Sequence, residues 1–319
     1  MANPANASES GIAMLGPTES GKSTFLCALK KALLEQDEHW VLFTRDPASQ
    51  QQLEEMSSAL DSQGGFPLPT HTVDTIRWIL DGTIERTERK GRFGAESKVT
   101  DRVEITLRLT DAPGGLGQTD AIGKTDRNEL IKQLADSRGI LYMFDPIREF
   151  THGDAYQRTD SLLTELLGVV SQDPEFEGRL QHRLAVCVTK LDDPRVFTTA
   201  RELGILIPDD TSPWGFPRVH ETDAQQLFHA LGPISKSGNG EALPRLFERY
   251  FYPERISYYV TSAVGFMVNK RTRRFDQRDT ENVYRTASGQ ALVRGPVHPI
   301  NVVEPVLWIA RQLPPALVS

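Results

Sequence analysis

The chain of 319 residues holds only two cysteines, Cys27 and Cys187, too few and too isolated for a disulfide framework. Both sit in apolar runs and read as small buried fillers in a reducing compartment, without metal-ligand spacing around them. Long apolar runs are also missing: none reaches the ~18–20 residues that span a bilayer. The first ten residues, MANPANASES, lack the basic and apolar regions of a secretory leader and read as a disordered tail. Positive charge is in deficit, 36 Lys and Arg against 43 Asp and Glu, for a net charge of −7. That balance disfavours nucleic acid as a partner of the whole body and leaves only a local basic run at 270–274. No internal repeat is present. These absences predict a cytoplasmic globular protein with no transmembrane segment, long enough to bury a core without staples.

What is present is an alternation of short apolar strands and amphipathic helices. Strands are expected at Gly11–Leu15, 72–80, 102–110, Gly139–Phe144, Arg183–Val188 and Ile256–Val260. Helices are expected at 22–34, 48–60, 126–136, 159–171 and 302–312, the second polar enough to lie on the surface. The charged stretch 85–100 reads as a hairpin tip. The alternation predicts an α/β fold of three layers with a mostly parallel central sheet, whose ligands bind beyond the carboxyl ends of the strands. The expected organisation is one domain over 11–319. Loop insertions are expected at 193–254 and 265–300, with Trp214, Phe216 and Phe228 as local anchors in the first.

Four motifs follow strand ends. Gly16-Pro17-Thr18-Glu19-Ser20-Gly21-Lys22-Ser23 fits G-x-x-x-x-G-K-[ST] between a strand and a helix. Its glycines allow a curl whose N–H groups, those of Thr18, Glu19, Ser20 and Thr24 included, face phosphate at a helix N-terminus. Lys22 reaches the β- and γ-phosphates, and the Ser23 hydroxyl is offered to Mg²⁺. Asp111-Ala112-Pro113-Gly114 fits D-x-x-G, with Asp111 on the metal side and the Gly114 N–H near the γ-phosphate. Before the second strand, Thr70 is the candidate switch I hydroxyl, with Thr72 as the alternative. The polar, glycine-rich run at 115–120 suits a switch II. Thr189-Lys190-Leu191-Asp192 fits [NT]-K-x-D: Asp192 can accept from guanine N1–H and its amine, a pair adenine lacks, while the Lys190 stem lies over the ring. Ser262 and Ala263, in Thr261-Ser262-Ala263, match a backbone contact to the base oxygen.

In this order the motifs GPTESGKS, DAPG, TKLD and TSA make the chain resemble the Ras-like P-loop GTPases, over residues 11–264 and the last helix. The resemblance implies a guanine-nucleotide protein using GTP/GDP and Mg²⁺. Lys22, Thr70 and Gln118 would be catalytic, and Ser23, Thr70 and Asp111 would be metal ligands. The run Phe66-Pro67-Leu68-Pro69-Thr70 and the wide motif spacing are more narrowly similar to the bacterial double-GTPase group, implying a regulatory switch acting with a partner protein. One departure is visible. Gly115 stands where many members carry the glutamine that positions water, so Gln118, Asp120 or a partner must act and unaided turnover should be slow. Arg148 is a candidate cis cation, although Asp145 and Arg148 read more simply as a loop cap and its surface partner. The competing readings are a nucleotide-dependent scaffold without useful hydrolysis and an ATP-using P-loop enzyme.

Overall fold

The computed structural model describes residues 11–17, 20–35, 40–62, 65–66, 75–89, 96–110 and 121–312. The first elements are β1 (Gly11–Leu15), α1 (Lys22–Glu35), β2 (Val41–Phe43), α2 (Pro47–Ser62), β3 (Thr75–Arg89) and β4 (Glu96–Thr110). Next come α3 (Ala121–Asp136), β5 (Gly139–Phe144), α4 (Pro146–His152), α5 (Ala155–Val170), β6 (Arg183–Val188) and α6 (Pro194–Glu202). The chain continues through β7 (Leu206–Pro208), β8 (Pro217–Val219), α7 (Glu221–Leu231), α8 (Leu243–Tyr250) and β9 (Ile256–Val260). It closes with β10 (Val283–Arg285), β11 (Ala291–Val293) and α9 (Glu304–Gln312).

Seven strands form one sheet in the order β2-β3-β4-β1-β5-β6-β9. The pairs from β4 to β9 are parallel, and β2-β3 and β3-β4 are antiparallel. β1 and β5 are buried along their whole length, which is why they read as unbroken apolar runs. Alternation sorts their side chains between two cores. Ile12, Met14, Leu141, Met143, Ala185 and Cys187 face a layer made by α1, α2 and α9. Ala13, Leu15, Ile140, Tyr142, Val186 and Val188 face the layer of α3 and α5 to α8. The expected three-layer α/β architecture is therefore present. Both cysteines are buried and neither forms a disulfide. No helix among the described residues is long and apolar enough to cross a membrane.

Three expectations need correction. Residues 85–100 are mostly strand, not tip: the β3–β4 ladder runs from Thr75↔Thr110 to Arg89↔Glu96. Helix α2 is not confined to the surface, because Leu53, Met56 and Leu60 are buried against α1 and the sheet. The stretch 193–254 is largely helical, with α6, α7 and α8 placing Phe197, Phe228 and Phe247 in the second core. Several of its prolines start helices instead of breaking them, as Pro194 does at the first position of α6 behind the cap Asp193. Phe216 and Phe228 are buried as the anchor reading requires, and half-buried Trp214 stacks on His298 with ring centroids 3.6 Å apart.

Candidate functional site

The loop after β1 turns tightly into α1. Gly21 takes φ +90°, which a side chain resists, and the Phe25 N–H donates to Gly21 O at 2.7 Å. Gly16 passes so close to β5 that an added Cβ would stand 2.9 Å from Met143 O. Lys22 is 4% exposed, and its Nζ donates to Gly16 O and Pro17 O, both at 3.0 Å. The ammonium is thus folded back over its own loop, between carbonyls that a phosphate oxygen could replace. Ser23 and Thr24 are half-buried in the first turn of α1. Ser20 is fully buried, and its hydroxyl has no hydrogen-bond partner among the described residues. Such an orphaned donor is costly unless a ligand meets it. Thr18 and Glu19 lie outside the described residues.

The other end of the site is formed by the loops after β6 and β9. Thr189 is clamped to the end of β5, its N–H and Oγ1 both donating to Phe144 O at 2.9 and 3.0 Å. Lys190 adopts a left-handed φ of +63°, and its Nζ pairs with Asp145 Oδ2 at 2.5 Å. Asp192 is 6% exposed, and Ser262 Oγ donates to its Oδ1. Burial pushes the Asp192 carboxyl up to about 6, with the Ser262 bond opposing. A buried carboxylate held this way suits a ligand that brings N–H donors to it. The Leu191 N–H donates to Thr261 O at 3.1 Å and the Thr261 N–H to Val188 O at 2.8 Å, locking the two loops side by side.

A third segment braces the loop that carries Ser262 and Ala263. Ser262 and Ile300 form an antiparallel bridge, and the His298 N–H donates to Val264 O at 3.1 Å. Gly265 takes φ +68°, and a Cβ there would lie 1.9 Å from His298 O. Buried Asn282 donates to Val264 O at 3.1 Å and accepts from the Gly295 N–H at 2.9 Å.

The fold therefore brings together Gly16, Ser20, Gly21, Lys22, Ser23 and Thr24 after β1, and Thr189, Lys190, Asp192, Ser262 and Ala263 after β6 and β9. Thr70, Thr72, Asp111, Gly114, Gly115, Gln118 and Asp120 lie outside the described residues, although β4, which leads into Asp111, runs directly beside β1. Asp145 is a cap, as expected: its Oδ1 accepts from the Ile147 and Arg148 N–H groups at the start of α4. The Arg148 guanidinium pairs with Asp154, which also accepts from Arg158 Nε at 2.6 Å. Arg148 is thus neither the surface partner of Asp145 nor turned to a catalytic task. The link from Asp145 to Lys190 was missed by sequence reasoning; the only local signal was an Asp-Pro pair at a strand end.

No family model and no curated protein matches the chain. Among solved structures it is similar to the Arl6/BBS3 small GTPase of Trypanosoma brucei with bound GppNp, at 12% identity and TM-score 0.37, over 95% of this chain and 96% of that one. It is also similar to the GTP-bound Ski7 GTPase-like domain of S. cerevisiae, at 16% identity and TM-score 0.35, over 91% of this chain and 48% of that one. A third likeness is to Era of Aquifex aeolicus bound to GDP·AlF4⁻, at 13% identity and TM-score 0.33, over 79% of this chain and 50% of that one. The chain spans about half the length of the Ski7 and Era chains. At such scores these likenesses decide nothing, and the assignment rests on strand order and loop placement. On those grounds the chain has a three-layer α/β fold with a mostly parallel central sheet and a strand-loop-helix turn at residues 16–22.

Proposed function

We propose that this chain binds GTP with Mg²⁺, hydrolyses it slowly, and serves as a cytoplasmic regulatory switch for a protein partner. One observation carries the reading: Lys22 and Asp192 stand beyond the carboxyl ends of β1 and β6, parallel strands separated only by β5. Bound Mg²⁺ would neutralise charge on the phosphate oxygens. The Ser23 hydroxyl with the Asp111 carboxylate and Thr70 is a hard-oxygen donor set suited to it. Lys22 would exchange Gly16 O and Pro17 O for phosphate oxygens, while the N–H groups of Thr18 to Thr24 would line the anion. Gly114 would contact the γ-phosphate through its N–H, and Gln118 would orient the attacking water.

At the base end, ionised Asp192 would accept the guanine N1–H and amine, with Ser262 holding the carboxylate in place. The Ala263 N–H would donate to the base oxygen, and the Thr189 loop and the Lys190 stem would bound the ring. Gly115 offers no side chain to water, and Arg148 is engaged by Asp154, so the missing positive charge falls to a partner. The test is phosphate release from GTP by purified protein, with Lys22→Ala as control. Slow release that Lys22→Ala abolishes supports the switch. Tight GTP binding without release supports the scaffold reading, which Gly115 favours.

A further inference from the structure

Asp145 has no part in the proposed hydrolysis, yet its carboxylate joins two loops at the base end. The residue is 3% exposed and follows β5 directly. Its two oxygens have separate tasks. Oδ1 accepts the Ile147 and Arg148 N–H groups at 3.0 and 3.1 Å, capping α4. Oδ2 reaches away from the helix to the loop after β6 and accepts from Lys190 Nζ at 2.5 Å. A cap requires only the first of these. The second oxygen is spent on a lysine 45 positions along the chain, whose own side chain is 38% exposed.

From this geometry we propose that Asp145 is a positioning residue for the guanine site. Its carboxylate anchors the Lys190 ammonium so that the lysine stem is already set along the face of the base. The proposal rests on the base-reading role given to the loop at 189–192. An untethered lysine has four rotatable bonds, and ordering them during binding subtracts from affinity. The tether removes that loss beforehand. The partners differ in solvation as the role requires: the carboxylate is shielded from water and satisfied by three donors, while the ammonium keeps part of its hydration.

Asp145→Asn separates the two tasks, because an amide oxygen caps a helix as well as a carboxylate does but carries no charge to hold an ammonium. Lys190→Met keeps the stem and removes the ammonium. Calorimetric titration of both variants and the double variant, with GDP and with IDP in Mg²⁺ buffer, tests the tether. Each single change should weaken GDP binding about tenfold, and the double change no more than either alone. GDP and IDP should weaken by the same factor, since the stem meets the ring face and not the exocyclic amine. The melting temperature of Asp145→Asn should stay within about 2 °C of wild type.

Wild-type GDP affinity in Asp145→Asn, additive losses in the double variant, or a loss confined to GDP would overturn the proposal. Should Asp145→Asn fail to fold, Lys190→Met decides alone, because Lys190 is outside the cap: unchanged affinity there overturns the tether. Wild-type protein without guanine preference would instead overturn the base-reading role, a separate and recognisable result.

Discussion

The phosphate end and the base end of the proposed site are built on different plans. After β1 the structure relies on main chain and one cation: Lys22 rests on the carbonyls of its own loop, and the buried Ser20 hydroxyl has no partner among the described residues. After β6 and β9 it relies on side chains closed on one another, Ser262 on Asp192, Asp145 on Lys190 and Thr189 on Phe144. The segment ending at Ile300 braces this second half from outside. At the first end the cation is held by its own loop's carbonyls, while at the second the side chains that would meet a base are held by other side chains and by neighbouring strands. Such preorganisation makes the base end a shape set by folding and the phosphate end a shape completed by binding.

Substitutions can break that contrast, the largest effect coming first. Lys22→Ala should lower GTP hydrolysis by more than about 100-fold, because the ammonium would neutralise charge on the phosphate oxygens. Its melting temperature should stay near wild type, as assays of phosphate release and thermal melting would show. Asp192→Asn should cost about 100-fold in GTP affinity with little change toward ATP, read by competitive titration of the two nucleotides. Gly265→Ala should destabilise the fold by about 2 kcal/mol, since its Cβ would meet His298 O and its φ is positive. Chemical denaturation measures that loss.

The smallest expected effect is a pH dependence. Burial raises the Asp192 carboxyl from its ordinary value of 3.8 to about 6. An acid with a raised folded pKa contributes stability below its unfolded value and loses it as pH rises toward 6. Guanine binding requires the ionised form, so the sign for affinity is opposite. GDP affinity should be flat near neutrality and fall about tenfold from pH 7 to pH 5, as calorimetry in the two buffers would show. Asp192→Asn should remove the step.

How far the sequence could be read depended on where each residue spends its side chain. β1, β5, β6 and β9 match their expected bounds because strands buried in a parallel sheet are short apolar runs. The outer part of the β3–β4 ribbon was misread because it extends past β1, which pairs only with Thr106 to Leu109 of β4. There the ribbon mixes buried Ile84 and Val103 with charged cross-strand pairs such as Arg102 with Asp81, which blurs the apolar alternation. The stretch 193–254 has a loop-like composition, but position decides what a proline does: Pro194 and Pro244 each sit in the first turn of a helix. At the site, local motifs were legible. The Asp145–Lys190 pair was not, since it joins residues that only the sheet order brings together.

The most direct measurement is calorimetric titration of the purified protein with GTP and with ATP in magnesium buffer. Saturable GTP binding at least about 100-fold tighter than ATP binding is the expected result. Equal affinities for the two nucleotides would contradict it, leaving the fold in place and removing the role given to Asp192.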